Sequence, residues 1–189
     1  EAVAGMENFK WNNGPSAACM LTLPYTRNVL GSMEFTPTAY REKNSNVTSG
    51  FMLAQAVAYE SALQSLAHSA YVYQGYDGLS LISEVPTTWD ESRLLQGYPG
   101  ESVVRARRKG KNWYLGAMTL QAKTYDVPLD FLDKGATYHA YIYKDNAAGD
   151  NIEIESLDVT SETVLKLPLL ANGGCSVKFS QTDILRRTP

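Results

Sequence analysis

The sequence predicts an α+β chain: a first part of loops around one long helix, then an all-β antiparallel sandwich. Two observations carry this. From Ser49 onward, "SGFMLAQAVAYESALQSLAHSA" places Met52, Ala56, Tyr59, Leu63, Leu66 and Ala70 at steps of four and three, an apolar stripe of helical period. After about residue 100, short alternating segments recur between turn signals.

The elements follow in order. Ser49 suits the helix N-cap, and the run continues to Ala70. Leu53 and Val57 widen the stripe, so the helix expects cover on more than one side. "YQGYDG" (Tyr73 to Gly78) ends it. Residues 84–100, "EVPTTWDESRLLQGYPG", read as a connector. "SVVRAR" and "NWYLGAM" then form a hairpin about Gly110. "TYDVPLD", "TYHAYIYKD", "NIEIESLDV", "TVLKLPL" and "GCSVKF" complete seven strands. In "TYHAYIY", Tyr138, Ala140 and Ile142 share one face, and His139, Tyr141 and Tyr143 the other. One helix with loops cannot close a core of its own, so residues 1–78 must lean on something else, most simply on chain preceding Glu1. The division expected is 1–78, a connector at 79–91, and a sandwich at 92–189.

Composition narrows the function. Hydrophobic content of 44% and charged content of 20% are ordinary for a globular chain. The net charge of −3 argues against nucleic acid, and no apolar run is long enough to span a bilayer as a helix. Cys19 and Cys175 read as two buried free thiols, with a disulfide between them as the alternative, and no Cys/His cluster suggests zinc. Twelve tyrosines and three tryptophans suit sheet surfaces and sugar stacking alike.

Five stretches, "EAVAGMENFKW", "LPYTRNVLGSMEFTP", "AYESALQSLAHS", "VPTTWDESRLLQGYPGESVVRARRKGKNWYLGAM" and "LANGGCSVKF", together resemble the C-terminal part of glycoside hydrolase family 97 enzymes. The resemblance runs along nearly the whole chain, in order. It implies that residues 1–78 are the last part of a (β/α)8 barrel and that a C-terminal β-sandwich follows. It implies an α-glucosidase or α-galactosidase acting on α-linked oligosaccharides, periplasmic or secreted, using calcium and requiring the upstream portion of the same enzyme. The terminal sandwich would join copies into a homo-oligomer in this family; the alternative reading is a carbohydrate-binding or oligomerisation β-sandwich module without catalysis, for which the tyrosine-rich strands speak. Without the second carboxylate that a glycosidase needs, these residues alone are expected to hydrolyse nothing.

By the same resemblance Glu1 is a calcium ligand, and Glu7 is both a calcium ligand and the general acid that protonates the leaving oxygen. On their own the two acids read as solvated loop side chains. In an extended strand they would lie ~20 Å apart, so sharing an ion requires a fold-back, which Gly5 permits. Burial and a neighbouring carboxylate would keep an acid protonated, whereas a bound cation works against this.

Other candidates read as structural. Asp90 and Glu91, being adjacent, point apart on an extended segment that Trp89 packs in place. His68 and His139 lack a nucleophile context. Asn46-Val47-Thr48 fits a glycosylation sequon, which in a bacterial protein is an accident. Arg105, Arg107, Arg108, Lys109 and Lys111 read as a solvated turn and sheet edge. Trp113 suits the sandwich core, and Trp11, four residues past Glu7, suits the substrate side.

Overall fold

The short apolar and alternating segments after residue 100 become strands because each buries at least one row of side chains. In a computed structural model of the protein, which describes residues 4–11, 14–40 and 44–181, strands β1 (Glu34–Thr38) and β2 (Leu63–Leu66) pair in parallel. Helix α1 (Ala17–Thr22) precedes them, helix α2 (Ser49–Ala58) connects them, and helix α3 (Leu79–Ile82) follows. Then come β3 (Glu91–Tyr98), β4 (Ser102–Lys109), β5 (Asn112–Thr119), β6 (Lys123–Pro128), β7 (Tyr138–Asp145), β8 (Ile152–Val159), β9 (Val164–Leu169) and β10 (Gly174–Gln181).

Six of these strands form an antiparallel sheet in the order β3-β4-β5-β10-β7-β8, and β6 and β9 form a ribbon against it. Trp113, Leu115, Val177, Phe179, Tyr138 and Ala140 of the sheet meet Tyr125, Val127, Leu165 and Leu167 of the ribbon in one apolar core. Tyr138, Ala140 and Ile142 share that side as expected, and all seven expected strands are present. An eighth, β3, lies in the segment read as connector. Its ladder with β4 shifts register between Leu94 and Gln96, so a strict alternation is missing from the sequence.

The opposite face of the same sheet carries α2. All ten residues of this helix are buried, between β1 on one side and β4, β5 and β10 on the other. Backbones touch directly. A Cβ on Gly116 would sit 2.8 Å from the Ala54 carbonyl oxygen, and one on Gly174 would sit 2.6 Å from the Phe51 Cα. The core of the first part accordingly includes Val103 and Met118 from the sheet beside Met20, Phe35, Phe51 and Met52. The support that this part needs is thus supplied in large measure by the sandwich.

The long helix expected over 49–70 is corrected to Ser49–Ala58, and its N-cap is Thr48, whose Oγ1 accepts from Phe51 N at 3.1 Å. Local propensity would allow Glu60 to Leu66 to continue the helix, but tertiary contacts decide otherwise. Arg105 Nη1 donates to the Ala58 carbonyl at 2.7 Å, and Arg107 Nη1 to that of Tyr59 at 2.8 Å. Both carbonyls are left over by the helix end, where positive charge is favourable. The released chain turns and pairs with β1 as β2. Hence the basic cluster is not simply a solvated edge. Arg107 is 1% exposed, β4 is an interior strand, and only Arg108, Lys109 and Lys111 lie toward the hairpin surface. Cys19 is also corrected: it is an exposed thiol, while Cys175 is buried and free.

At the other end of α2, Asp145 Oδ1 accepts from Gly50 N at 2.6 Å, and its Oδ2 from Thr48 Oγ1 at 2.7 Å and Gly174 N at 3.2 Å. Burial pushes this carboxyl up to about 6 despite those three donors. Since the folded pKa is above the unfolded one, the contribution of this group is fully present below about pH 4 and is lost as pH rises through about 6. Asp145→Asn cannot accept all three bonds and is expected to cost about 2 kcal/mol. Its stability deficit should be larger at pH 4 than at pH 7, as measured by denaturant unfolding of both proteins.

Candidate functional site

Glu7 lies in a 3-10 turn over Met6–Trp11 that is pinned by two apolar residues, Met6 at 0% and Phe9 at 3% exposure. Gly5 sets how closely this turn approaches β1. A Cβ there would fall 2.9 Å from both the amide nitrogen and the carbonyl oxygen of Thr36, and 2.5 Å from Glu7 Oε2. Glycine is therefore needed for close packing of the turn on the strand, a different reason from the backbone freedom expected of it.

The carboxylate of Glu7 folds back over this contact. Its Oε1 accepts from Asn8 Nδ2 at 2.8 Å and from Gly5 N at 3.3 Å. Its Oε2 is buried and has no hydrogen-bond partner among the described residues. One oxygen is held, and the other is withdrawn from water yet unsatisfied. An orphaned carboxylate oxygen of this kind wants a proton, a cation or a donor from a ligand. It fits one hard-oxygen ligand of a calcium ion. Among the described residues no group of three or more His, Cys, Asp or Glu is placed to hold a metal, so the rest of a calcium shell would have to come from elsewhere. Glu1 lies outside the described residues. Trp11, at the end of the turn, is 64% exposed and available to a ligand.

A second feature was not legible beforehand. At the C-terminal ends of β1 and β2, Tyr73 donates its hydroxyl to the carbonyls of Thr38 at 3.1 Å and Ala67 at 2.6 Å. The next residue, His68, adopts φ +74°, a left-handed conformation uncommon outside glycine. Tyr40, His68, Tyr71, Val72 and Gln74 surround a cavity of about 380 Å³ there. The signal in the sequence was the tyrosine density of "YVYQGY", which by itself does not distinguish a site from a core.

The remaining candidates are structural, as expected. Asp90 accepts from Gly110 N at 2.7 Å and pairs with Lys109, and that backbone bond first of all holds its carboxyl below the usual range. Glu91 instead pairs with Arg93 and Arg108, so the two acids do not act together. Trp89 packs edge-on to Tyr114 at 5.4 Å and beneath Arg107. Trp113 is in the sandwich core. His139 pairs with Asp158 at 2.8 Å across β7 and β8.

Comparison with known proteins bears on this geometry. Residues 88–180 match the family model for the glycosyl-hydrolase 97 C-terminal, oligomerisation domain. Over 95% of its length the chain is 34% identical to the retaining alpha-galactosidase of Bacteroides thetaiotaomicron. A glycoside hydrolase family 97 enzyme from Pseudoalteromonas sp. strain K8, solved in complex with panose, superposes on 95% of the chain with TM-score 0.87 and 32% identity. A β-arabinopyranosidase superposes on 86% with TM-score 0.75 and 28% identity. The chain spans 30% of the length of the Bacteroides protein, and 31% and 27% of the two solved chains. Since sequence and three-dimensional superposition agree along the chain, and the domain model agrees over residues 88–180, the chain belongs to glycoside hydrolase family 97, and residues 88–180 form the family's C-terminal domain.

Proposed function

We propose that this chain is the C-terminal portion of a retaining α-galactosidase, in which Glu7 is the general acid. The observation that carries the reading is the Glu7 carboxylate itself, with Oε1 held and Oε2 buried without a partner among the described residues. The 34% identity to a retaining alpha-galactosidase over 95% of the chain favours galactosides. In the proposed reaction Glu7 gives its proton to the glycosidic oxygen as the bond to the anomeric carbon breaks. A second carboxylate, from a part of the enzyme outside this chain, bonds to that carbon. Glu7, now ionised, then takes a proton from the water that releases the sugar. Trp11 offers an exposed ring on which the sugar could stack.

The β1–α2–β2 unit is proposed to be the closing part of a (β/α)8 barrel. In such barrels functional groups gather at the C-terminal ends of the strands, where the tyrosine- and histidine-lined cavity lies. Among the described residues β1 and β2 pair only with each other, and Val29 (73%), Leu30 (85%) and Leu63 (60%) are exposed apolar side chains that the remaining barrel would cover. Glu1 and Glu7 are proposed to hold calcium, which when bound supplies a fixed positive charge beside the carboxylates. We also propose a periplasmic or secreted location, and self-association through residues 88–180, which the description of the matched domain favours.

The 189-residue chain alone is expected to show no turnover of p-nitrophenyl α-galactoside. Joined to the upstream part of a family 97 enzyme it should hydrolyse that substrate with retention of configuration. Turnover by the chain alone, or none by the joined enzyme, would refute the reading.

A further inference from the structure

A further cavity is separate from the Glu7 turn. It measures about 830 Å³ and lies where the loop entering α2 meets two turns of the sandwich. Its walls come from segments distant in sequence, and hydrogen bonds fix them to one another. Thr48 N donates to the Asn172 carbonyl at 3.1 Å, Ser49 N to that of Gly149 at 2.9 Å, and Asn172 Nδ2 to that of Asn46 at 3.1 Å. Such a volume is in the range of small-molecule sites, and walls tied in this way are pre-formed.

The lining decides the class of ligand. Asn46, Asn146, Asn151 and Asn172 bring four side-chain amides, Asp150 brings one carboxylate, and Ser45, Thr48 and Ser49 add hydroxyls. The described lining offers amides and hydroxyls and one carboxylate, a set suited to a neutral polar ligand. Apolar lining is confined to small or largely buried side chains such as Val47, Met52 and Ala148, which does not suit a lipid. A side-chain amide both donates and accepts, which matches the paired hydroxyls of a neutral sugar. Two details sharpen this. Asn146 is engaged at both ends of its amide, its Nδ2 donating to Asp150 Oδ1 at 2.8 Å and its Oδ1 accepting from Asp150 N at 3.1 Å, so it shapes the wall and leaves the other three asparagines to meet a ligand. Asn151 Oδ1 is buried with no hydrogen-bond partner among the described residues, although Nδ2 of the same amide is engaged by Asp77 at 3.1 Å. A buried acceptor left open in a pre-formed polar cavity is suited to a ligand hydroxyl.

We infer that this cavity binds a neutral hexose unit, and that it does so independently of Glu7. The sugar class rests on the lining, and the choice of an α-galactoside as probe rests on the function proposed above. Among the described lining residues the one aromatic is Tyr40, which is buried, so affinity on the order of millimolar is expected.

The test is titration of the 189-residue chain with melibiose and, in parallel, with inorganic phosphate, followed by calorimetry and by the side-chain amide resonances of the asparagines. Saturable melibiose binding that shifts the Asn46, Asn151 and Asn172 amides, with none by phosphate, is expected. Ala148→Trp, which fills the cavity from an exposed turn position, should abolish it. Asn46→Ala should weaken it at least about tenfold and keeps the test open if the tryptophan variant does not fold. Glu7→Gln should leave it unchanged. Absence of saturable binding, binding that survives both cavity substitutions, or binding lost with Glu7→Gln would overturn the inference. Failure of the catalytic reading would appear instead as hydrolysis unaffected by Glu7→Gln, with melibiose still bound in this cavity.

Discussion

Replacing Arg107 with alanine is expected to destabilise the chain by about 2–3 kcal/mol, because it leaves the buried Tyr59 carbonyl without its donor and removes a buried side chain, while Glu60 is open enough to solvent to be rehydrated. The guanidinium is 1% exposed, pairs with Glu60 at 3.0 Å, donates to the Tyr59 carbonyl at 2.8 Å, and lies over Trp89 at 5.4 Å. Burial pushes its pKa down to about 10, so it remains charged at neutral pH, held by Glu60. Truncation would strand the carbonyl at the end of α2 and remove the reason for the chain to leave the helix after Ala58. Arg107→Lys should recover only part of the loss, because one ammonium cannot serve the carbonyl, the carboxylate and the indole face together. Denaturant unfolding of the three proteins checks this. Wild-type stability in the alanine variant would show that the sandwich does not hold α2 through this residue.

Glu7→Gln in the enzyme completed by its upstream part is expected to lower kcat/KM for melibiose by about 10²–10⁴-fold. Glutamine preserves shape and can still receive the Asn8 and Gly5 donors through its carbonyl oxygen, so the turn should keep its place. What it cannot do is yield a proton to a sugar leaving group. The alkaline limb of the pH profile, which reports loss of the essential acid, should disappear with it. If Asn8 and Gly5 fix the carboxylate as described, Asn8→Ala should reduce kcat/KM in the same direction but less, because it frees Oε1 without removing the acid.

Sandwich and site were legible in the sequence to different degrees. Strands β6, β7 and β9 could be read because their alternation is set by the burial of one face, a local pattern, and β4, β5 and β10, buried on both faces, from short β-branched and aromatic runs between turn signals. The same holds for the sides assigned to Tyr138 and Ala140. The start of α2 was legible to within one residue, since a hydroxyl cap precedes an apolar run. Its end was not, because it is fixed by Arg105 and Arg107 from a strand some fifty residues later, and such contacts leave no mark on "YESALQSL". Those arginines were misread for the same reason: a basic cluster looks solvated until a helix end is found above it. Strand β3 was hidden by its register shift and by Gly97. Glu7 was indistinguishable from a solvated loop acid on residue chemistry alone, and only family resemblance singled it out. Its orphaned oxygen depends on how Gly5 packs against Thr36, which the sequence does not display.

The most direct test of the account compares two substrates on Glu7→Gln in the completed enzyme: melibiose, whose sugar leaving group needs a proton, and 2,4-dinitrophenyl α-galactoside, whose phenolate leaves without one. The account predicts a large loss of kcat/KM for melibiose and a value near wild type for the dinitrophenyl substrate. Equal losses on both, or none on either, would contradict it.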